Sequence, residues 1–242
     1  MSPLPVVPAT TDPALLSYLH WANLVGNTGC ALWILAYVLS LLKAQRDRAP
    51  GLPTLAICLN FSWEFLYAFV LPNPVGLWRF FGTAWFLLDI VIVYQLLRFG
   101  PAHQRDPWVA RHFRVIVAAT TILGGVGQWA FIVMYRDALG LVVAFVINLV
   151  MSIGFVNLAL SRPTQQGLSL GAAWLKMLGT LGTSIMCHVL VPAFNPHLDN
   201  VVFLTFLCVT IFAFDILYLV LLYHGIRSRR RAEQSHSMVS WG

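Results

Sequence analysis

Seven long apolar runs divide the sequence and leave little chain between them. A helix needs about 20 apolar residues to cross the bilayer core, and the runs are continuous, whereas barrel strands alternate every second residue. With 59% hydrophobic and only 10% charged residues, the chain lacks the polar surface of a soluble fold. The sequence therefore predicts an all-α integral membrane protein, a bundle of seven transmembrane helices. The runs are Tyr18 to Leu42, Pro53 to Leu71, Phe81 to Leu97, Phe113 to Tyr135, Ala138 to Leu160, Leu168 to Pro192 and Val201 to Tyr223.

Basic residues are distributed unevenly between the two sides of this bundle. Twelve of the 15 Lys and Arg residues lie on one side, whereas the other side has only Arg79 and Arg136. Cytoplasmic loops carry the excess of Lys and Arg, so we expect an extracytoplasmic N-terminus and a cytoplasmic C-terminus. The arginines then lie beside anionic lipid headgroups, and we expect no nucleic-acid partner. The predicted parts are a short N-terminal segment (1–17), the seven-helix domain (18–225) and a basic cytoplasmic tail (226–242).

Three carboxyl groups fall deep within the predicted spans. Glu64, Asp89 and Asp215 are three of only nine acidic residues, and an unpaired charge at the bilayer centre costs at least about 2.5–3.5 kcal/mol. One explanation is that an acid pairs with Lys176 or with a buried polar group. However, Lys176 lies near the cytoplasmic end of its span, and we expect it to snorkel to the headgroups. Three such acids together favour a functional role.

Aromatic side chains share the helix faces of these acids, because residues three or four apart lie on one face. A carboxyl group in a dry apolar pocket tends to stay protonated, since desolvation disfavours the charged form, and it can then donate a proton near neutral pH. Aromatic rings stabilise a cation without supplying a nucleophile. The pattern therefore indicates acid catalysis through carbocations. The neighbours are Asn60, Phe61 and Tyr67 for Glu64, Trp85 for Asp89, and Tyr218 for Asp215.

Signatures of metal and cofactor sites are missing from the sequence. It has no DDxxD-like aspartate cluster, no HExxH, no GxSxG and no Walker-type loop. The lack of an acidic cluster argues against magnesium-dependent ionisation of a diphosphate. Two groups of glycines, Gly124, Gly125 and Gly127, and the pair Gly179 and Gly182, indicate close contacts between helices and not phosphate loops. We therefore expect neither a metal nor another cofactor.

A family resemblance rests on two segments. They are Asn60-Phe61-Ser62-Trp63-Glu64-Phe65-Leu66-Tyr67 and Phe214-Asp215-Ile216-Leu217-Tyr218. The first, with its N-x-x-W-E-F-x-Y pattern, resembles the small seven-helix integral-membrane terpene cyclases of fungal meroterpenoid, indole-diterpene and related bacterial pathways (paspaline- and pyripyropene-type cyclases). The second places an acid where that family has one on its last helix. Length and span count agree over most of the chain, and the motifs cover about two helices.

The resemblance implies a metal-free cyclase, of the isomerase or intramolecular lyase type, that protonates a prenylated aromatic or indole substrate. Glu64 matches the family's general acid and Asp215 its second essential acid, and the two roles are open to exchange. Asp89 and Asn60 are expected to support the acid through hydrogen bonds. Residues expected to line the site or to stabilise cations are Trp63, Phe61, Tyr67, Trp85 and Tyr218.

The implied substrate has a farnesyl or geranylgeranyl chain, and its terminal group is either an epoxide or an alkene. The resemblance does not decide between the two. As an integral multi-pass protein, the enzyme is expected in the plasma membrane if it is bacterial and in the endoplasmic reticulum if it is fungal.

A seven-helix proton-coupled transporter is the main alternative, with Glu64 and Asp215 as its coupling carboxylates. It predicts substrate flux across vesicles without a new compound, whereas a cyclase predicts the reverse. A microbial rhodopsin needs a lysine for its Schiff base on the seventh helix, and Val201 to Tyr223 contains none. A scaffold protein without chemistry leaves the three buried acids with no role.

Overall fold

The computed structural model describes residues 13–71, 77–137, 140–162, 164–194 and 201–239, and over these residues the chain is all-helical. The predicted number of helices, seven, agrees with the described part of the chain. The helices are α1 (Pro13–Asp47), α2 (Thr54–Phe65), α3 (Leu77–Phe99), α4 (Pro107–Tyr135), α5 (Leu141–Ser161), α6 (Leu170–Phe194) and α7 (Val202–Val239). A π-helical turn, Leu66–Val70, continues α2, and a 3-10 turn, Gly100–His103, follows α3.

Five of the described helices are long and apolar enough to cross a membrane, namely α1, α3, α4, α5 and α7. Helix α2 with its π-helical turn, Thr54–Val70, is shorter. At the two ends the helices extend further than the predicted spans. Helix α1 begins at Pro13, inside the predicted N-terminal segment, of which residues 1–12 lie outside the described part. Helix α7 continues through most of the predicted basic tail.

Glycines allow α1 and α6 to touch along one side of the bundle. A Cβ atom on Gly29 would lie 2.5 Å from the carbonyl oxygen of Gly179, and one on Gly182 would lie 2.9 Å from the carbonyl oxygen of Val25. Backbones in a membrane approach this closely where the interface residues are small. The expectation that Gly179 and Gly182 mark a close helix contact is confirmed. It also holds for Gly124 and Gly125, where an added Cβ atom would lie 2.6 Å from Leu59 and 3.1 Å from Ser62 of α2, but it is wrong for Gly127, where no atom lies within 4 Å of the added Cβ atom.

A buried carboxyl group holds the connection between α4 and α5. Asp137 is fully buried, and its Oδ2 accepts a hydrogen bond from the backbone N–H of Val143 at 3.2 Å. The connection is also tied to the end of α2, because the Tyr67 hydroxyl donates to the Asp137 carbonyl oxygen at 3.3 Å and Trp63 Nε1 donates to the Gly140 carbonyl oxygen at 3.1 Å. Asp137 lies between the two spans, and burial raises its pKa to about 6.

Candidate active site

Glu64 of α2 and Asp89 of α3 meet in the interior of the bundle, where they are 2% and 1% exposed. Asn60, one helical turn before Glu64, donates through Nδ2 to Glu64 Oε1 at 2.7 Å and to Asp89 Oδ2 at 2.9 Å. The same nitrogen lies 2.8 Å from the hydroxyl oxygen of Tyr37 on α1. Helices α1, α2 and α3 thus meet at one group of side chains, the acid cluster (Tyr37, Asn60, Glu64 and Asp89).

In the acid cluster, Asn60 has fewer hydrogen atoms to donate than there are oxygen atoms around it. An amide nitrogen carries two hydrogens, whereas three oxygen atoms lie within hydrogen-bond distance of Asn60 Nδ2. The carboxyl groups are also so close that two negative charges would repel each other strongly. A single proton held between Glu64 and Asp89 resolves both problems, since it removes one charge and supplies another hydrogen bond. The geometry therefore suits a pair of carboxyl groups that stores one proton.

A cavity lies beside the acid cluster, between α1, α2, α3, α5 and α6. Its volume free of protein atoms is about 680 Å³, counting the open mouth. Glu64 is part of the wall, whereas Asp89 and Asp215 are not among the described residues that line it. Most of the wall is apolar, with Cys30, Cys187 and Met186 as small or flexible packing residues. The aromatic side chains in the wall are Trp33, Tyr37, Trp63, Trp85 and Phe145.

Within the described part of the chain, three buried polar atoms of the cavity wall have no hydrogen-bond partner. They are Glu64 Oε2, Trp85 Nε1 and Asn148 Oδ1. A buried polar atom without a partner costs about 1–3 kcal/mol, so a ligand or water molecule that satisfies it gains stability. The cavity therefore offers a bound molecule one carboxyl group, one N–H donor and one carbonyl acceptor in an apolar surrounding.

Asp215 of α7 lies outside the acid cluster, in an ion pair with Lys176 of α6. Lys176 Nζ is 2.6 Å from Asp215 Oδ1 and 2.8 Å from Oδ2, and it donates to Ser152 Oγ of α5 at 2.7 Å. Lys176 is only 3% exposed. The expectation that Lys176 snorkels to the headgroups is therefore wrong, because α5 and α7 supply its partners inside the bundle. The alternative, that one of the buried acids pairs with Lys176, is confirmed.

Several aromatic residues of the predicted site do not line the cavity. Phe61 stacks on Phe86 at 5.4 Å between ring centroids and lines a separate apolar groove between α2 and α4. Tyr67 lies at the α4–α5 connection, where its hydroxyl donates to the Asp137 carbonyl oxygen and its ring packs on that of Trp63. Tyr218 stacks on Phe155 at 4.9 Å, on the side of the bundle that holds Lys176. Trp63 and Trp85 lie in the wall, and Asn60 and Asp89 lie in the hydrogen-bond network around Glu64.

Three side chains of the site were not expected from the sequence, namely Trp33, Tyr37 and Asn148. Helix α1 carries no acid in its middle, so nothing marked Trp33 and Tyr37, although their spacing of four residues places them on one face. Asn148 had a visible signal, since a polar amide in an otherwise apolar span needs a partner inside the bundle. It donates to the Thr180 hydroxyl of α6 at 3.1 Å.

Comparison with known proteins gives a consistent result. A family model described as Pyr4-like transmembrane terpene cyclases matches residues 8–228. The chain is 32% identical to terpene cyclase macJ of Penicillium terrestre over 158 residues, which are 63% of this chain and 61% of that protein. It is 31% identical to the Pyr4-family terpene cyclase mfmH of Annulohypoxylon moriforme over 158 residues, 62% of each chain.

A longer match is less identical. The chain shares 26% of residues with terpene cyclase pyr4 of Aspergillus fumigatus over 230 residues, 90% of this chain and 91% of that protein. The matches to macJ and mfmH span about three-fifths of the length of those relatives.

Proposed function

Because the chain belongs to the Pyr4-like transmembrane terpene cyclases, we propose that it cyclises a prenylated aromatic or indole compound and that Glu64 donates the initiating proton. The substrate carries a farnesyl or geranylgeranyl chain that ends in an epoxide or an alkene. The observation that carries the proposal is the acid cluster at the wall of a cavity rich in tryptophan. Glu64 is assigned as the donor because it is the carboxyl group of the cluster that lines the cavity.

The reaction moves one proton in and one proton out. Glu64 transfers its proton to the epoxide oxygen, whose C–O bond then opens, or to the less substituted carbon of the last double bond, which leaves a tertiary cation. Each internal double bond attacks the resulting cation, which forms a C–C bond and moves the positive charge along the chain. The last cation loses a proton, which returns to the acid cluster, so that substrate and product have the same mass. When the shared proton leaves, the negative charge left on Glu64 and Asp89 is stabilised by the N–H donors of Asn60 and is balanced by the substrate cation.

Tryptophan rings are suited to guide this cation. Trp33, Trp63 and Trp85 lie in the wall, and the faces of such rings stabilise a desolvated cation by about 2 kcal/mol. The Trp63 ring is fixed on both sides, by its hydrogen bond to the Gly140 carbonyl oxygen and by the Tyr67 ring at 4.8 Å. A fixed ring favours one folded shape of the prenyl chain over others.

We also infer that the reaction needs no metal. The sequence lacks an aspartate cluster that would bind magnesium and a diphosphate. Among the described residues, no three His, Cys, Asp or Glu side chains converge on a point that could hold an ion.

The excess of arginine on one side of the bundle supports an extracytoplasmic N-terminus and a cytoplasmic C-terminus.

The comparisons do not favour a proton-coupled transporter. Every relative named above is called a terpene cyclase. In addition, Glu64 and Asp215, the two carboxylates that such a transporter would couple, lie in separate clusters of side chains.

Product analysis tests the proposed function. Membranes that contain the chain are supplied with prenylated indoles and prenylated phenols, each with and without a terminal epoxide. The products are separated by chromatography, and their masses are determined by mass spectrometry. We expect a product of unchanged mass and shifted retention time, absent with Glu64→Gln and present with Asp106→Asn, whose exposed carboxyl group caps α4. An active Glu64→Gln variant contradicts the assignment of the acid. If the folded protein converts none of the substrates, the result contradicts the proposed cyclase activity.

A further inference from the structure

The ion pair of Lys176 and Asp215 has no task in the reaction proposed above. Neither residue is among the described residues that line the cavity. The pair is nevertheless placed at the centre of the fold, because it joins α6 to α7 and, through Ser152, to α5. Two buried charges cost free energy inside a membrane, and charged residues are usually retained there because they serve a function.

Trp33 connects this ion pair with the cavity. Lys176 Nζ lies 5.5 Å from the centroid of the Trp33 ring, within the range of a cation–π contact. Trp33 also lines the cavity, and its ring meets that of Tyr37 edge to face at 5.7 Å. Tyr37 is a member of the acid cluster. A continuous series of contacts therefore runs from Asp215 through Lys176 and Trp33 to the acid cluster.

The geometry around Asp215 suits a carboxylate better than a carboxylic acid. Both of its oxygen atoms lie within 2.8 Å of the Lys176 ammonium group, an arrangement that favours the charged form of each partner. A carboxylate in this state accepts hydrogen bonds and holds no proton to give. Its contribution is therefore electrostatic.

The ammonium group of Lys176 creates an electrostatic problem that Asp215 solves. A free positive charge beside Trp33 would compete with the substrate cation for the electrons of the ring and would also repel that cation. With Asp215 in place, the pair is neutral as a whole, and Lys176 still holds the Trp33 ring. Resting on the proposed cyclase reaction, we propose that Lys176 is a positioning residue that fixes Trp33 in the cavity wall, and that Asp215 is required as the counter-ion of Lys176 and not as a proton donor.

A double substitution separates a counter-ion from an acid. We compare the wild type, Asp215→Asn, Lys176→Met and the double variant for folding by size-exclusion chromatography, for kcat and KM, and for the ratio of cyclised products. Asp215→Asn is expected to lower kcat about 100-fold, and the double variant to recover to within about tenfold of the wild type, because no uncompensated charge is left. The recovered enzyme is expected to give more incompletely cyclised product, since Trp33 is no longer held.

The outcomes distinguish the two proposals. A folded double variant that is as inactive as Asp215→Asn, beside an active wild type, overturns the counter-ion role alone. A double variant with full activity and an unchanged product ratio overturns the positioning of Trp33. A wild type that forms no product overturns the cyclase and this proposal with it. Lys43→Met is the matched control, because it removes a lysine from the half-exposed pair with Asp47, and it is expected to leave the product ratio unchanged.

Substitution of Trp33 tests the proposal without disturbing the ion pair. Trp33→Phe keeps a ring in the wall and is expected to retain most activity. Trp33→Leu is expected to lower kcat about tenfold with little change in KM, and to shift the product ratio in the same direction as the double variant. If Trp33→Leu changes neither the rate nor the products, Lys176 has no ring to position and the proposal is wrong.

Discussion

Glu64 and Asp89 are held by the same amide nitrogen, although they belong to different helices. Asn60 Nδ2 is 2.7 Å from one carboxyl group and 2.9 Å from the other. Of these two described carboxyl groups, Glu64 lines the cavity and Asp89 does not. In the proposed mechanism Glu64 is the donor and Asp89 the partner that shares the proton, so we expect the two to respond differently to substitution.

Asp89→Asn is expected to slow cyclisation about 10–100-fold, a smaller loss than that caused by Glu64→Gln. The amide keeps an oxygen that accepts from Asn60, so the cluster stays connected, but it can no longer share a proton with Glu64 as a carboxylate does. Initial rates of product formation by purified protein measure the difference. The assignment of the two carboxyl groups is contradicted if Asp89→Asn is the more damaging change.

Asn60→Leu removes the amide that donates to both carboxyl groups. Each buried acceptor that loses its donor costs about 1–3 kcal/mol, so we expect a lower free energy of unfolding together with a loss of cyclisation. Thermal unfolding in detergent and product analysis measure the two effects. The control is Asn157→Leu, at an exposed position of α5, which is expected to change neither. A stable and active Asn60→Leu variant would contradict the role of the acid cluster.

Gly29→Ala tests the contact between α1 and α6. The new Cβ atom would lie 2.5 Å from the Gly179 carbonyl oxygen and 2.9 Å from the Thr183 backbone nitrogen, so the helices must move apart. We expect a destabilisation of about 1–3 kcal/mol, measured as a lower Tm in detergent.

Gly127→Ala is the matched control on α4, because no atom lies within 4 Å of the added Cβ atom. There we expect an unchanged or slightly higher Tm, since alanine favours the helix by up to about 1 kcal/mol. Equal Tm values for the two variants would show that the close approach of α1 and α6 is unimportant.

Asp137 gives the protein a pH-dependent stability. In the unfolded chain its carboxyl group has the ordinary pKa of an Asp side chain, about 3.9. In the fold, burial raises this pKa to about 6. Between these values the folded state binds more protons than the unfolded state, so stability falls as the pH rises through this window.

Asp137→Asn is therefore expected to flatten the dependence of Tm on pH between about pH 4 and 7. The Tm of the variant is expected to rise relative to that of the wild type as the pH rises, because the amide stays neutral. Asp106→Asn, at the exposed cap of α4, is expected to leave the slope unchanged. Parallel curves for the wild type and Asp137→Asn would contradict the prediction.

The sequence was sufficient to locate the helices, because a helix that crosses a bilayer needs a long run of apolar residues, and such runs are visible in the sequence. It also singled out Glu64 and Asp89, since a carboxyl group in such a run needs an explanation. It could not show that the two acids meet at Asn60, because that contact spans 29 residues and depends on how α2 packs against α3. Spacing along one helix carries no information about its neighbours.

Two other residues show why patterns on a single helix are insufficient. Tyr67 is three residues after Glu64 and was expected on the same face, but its hydroxyl binds the α4–α5 connection, whose position the pattern of α2 does not reveal. Lys176 was expected at the headgroups because its long side chain reaches them in isolation. Its carboxylate partner is 39 residues away, on a helix whose position the sequence does not give.

That same separation constrains how the chain enters the membrane. Lys176 leaves the ribosome before Asp215, so α6 is made before its counter-ion is available. An unpaired lysine opposes partition into lipid, so we expect α6 to reach its final depth only when α7 arrives with the compensating charge. We therefore expect the insertion of this protein to be complete only after its last helix has been made, because until then the ammonium group of Lys176 has no carboxylate partner.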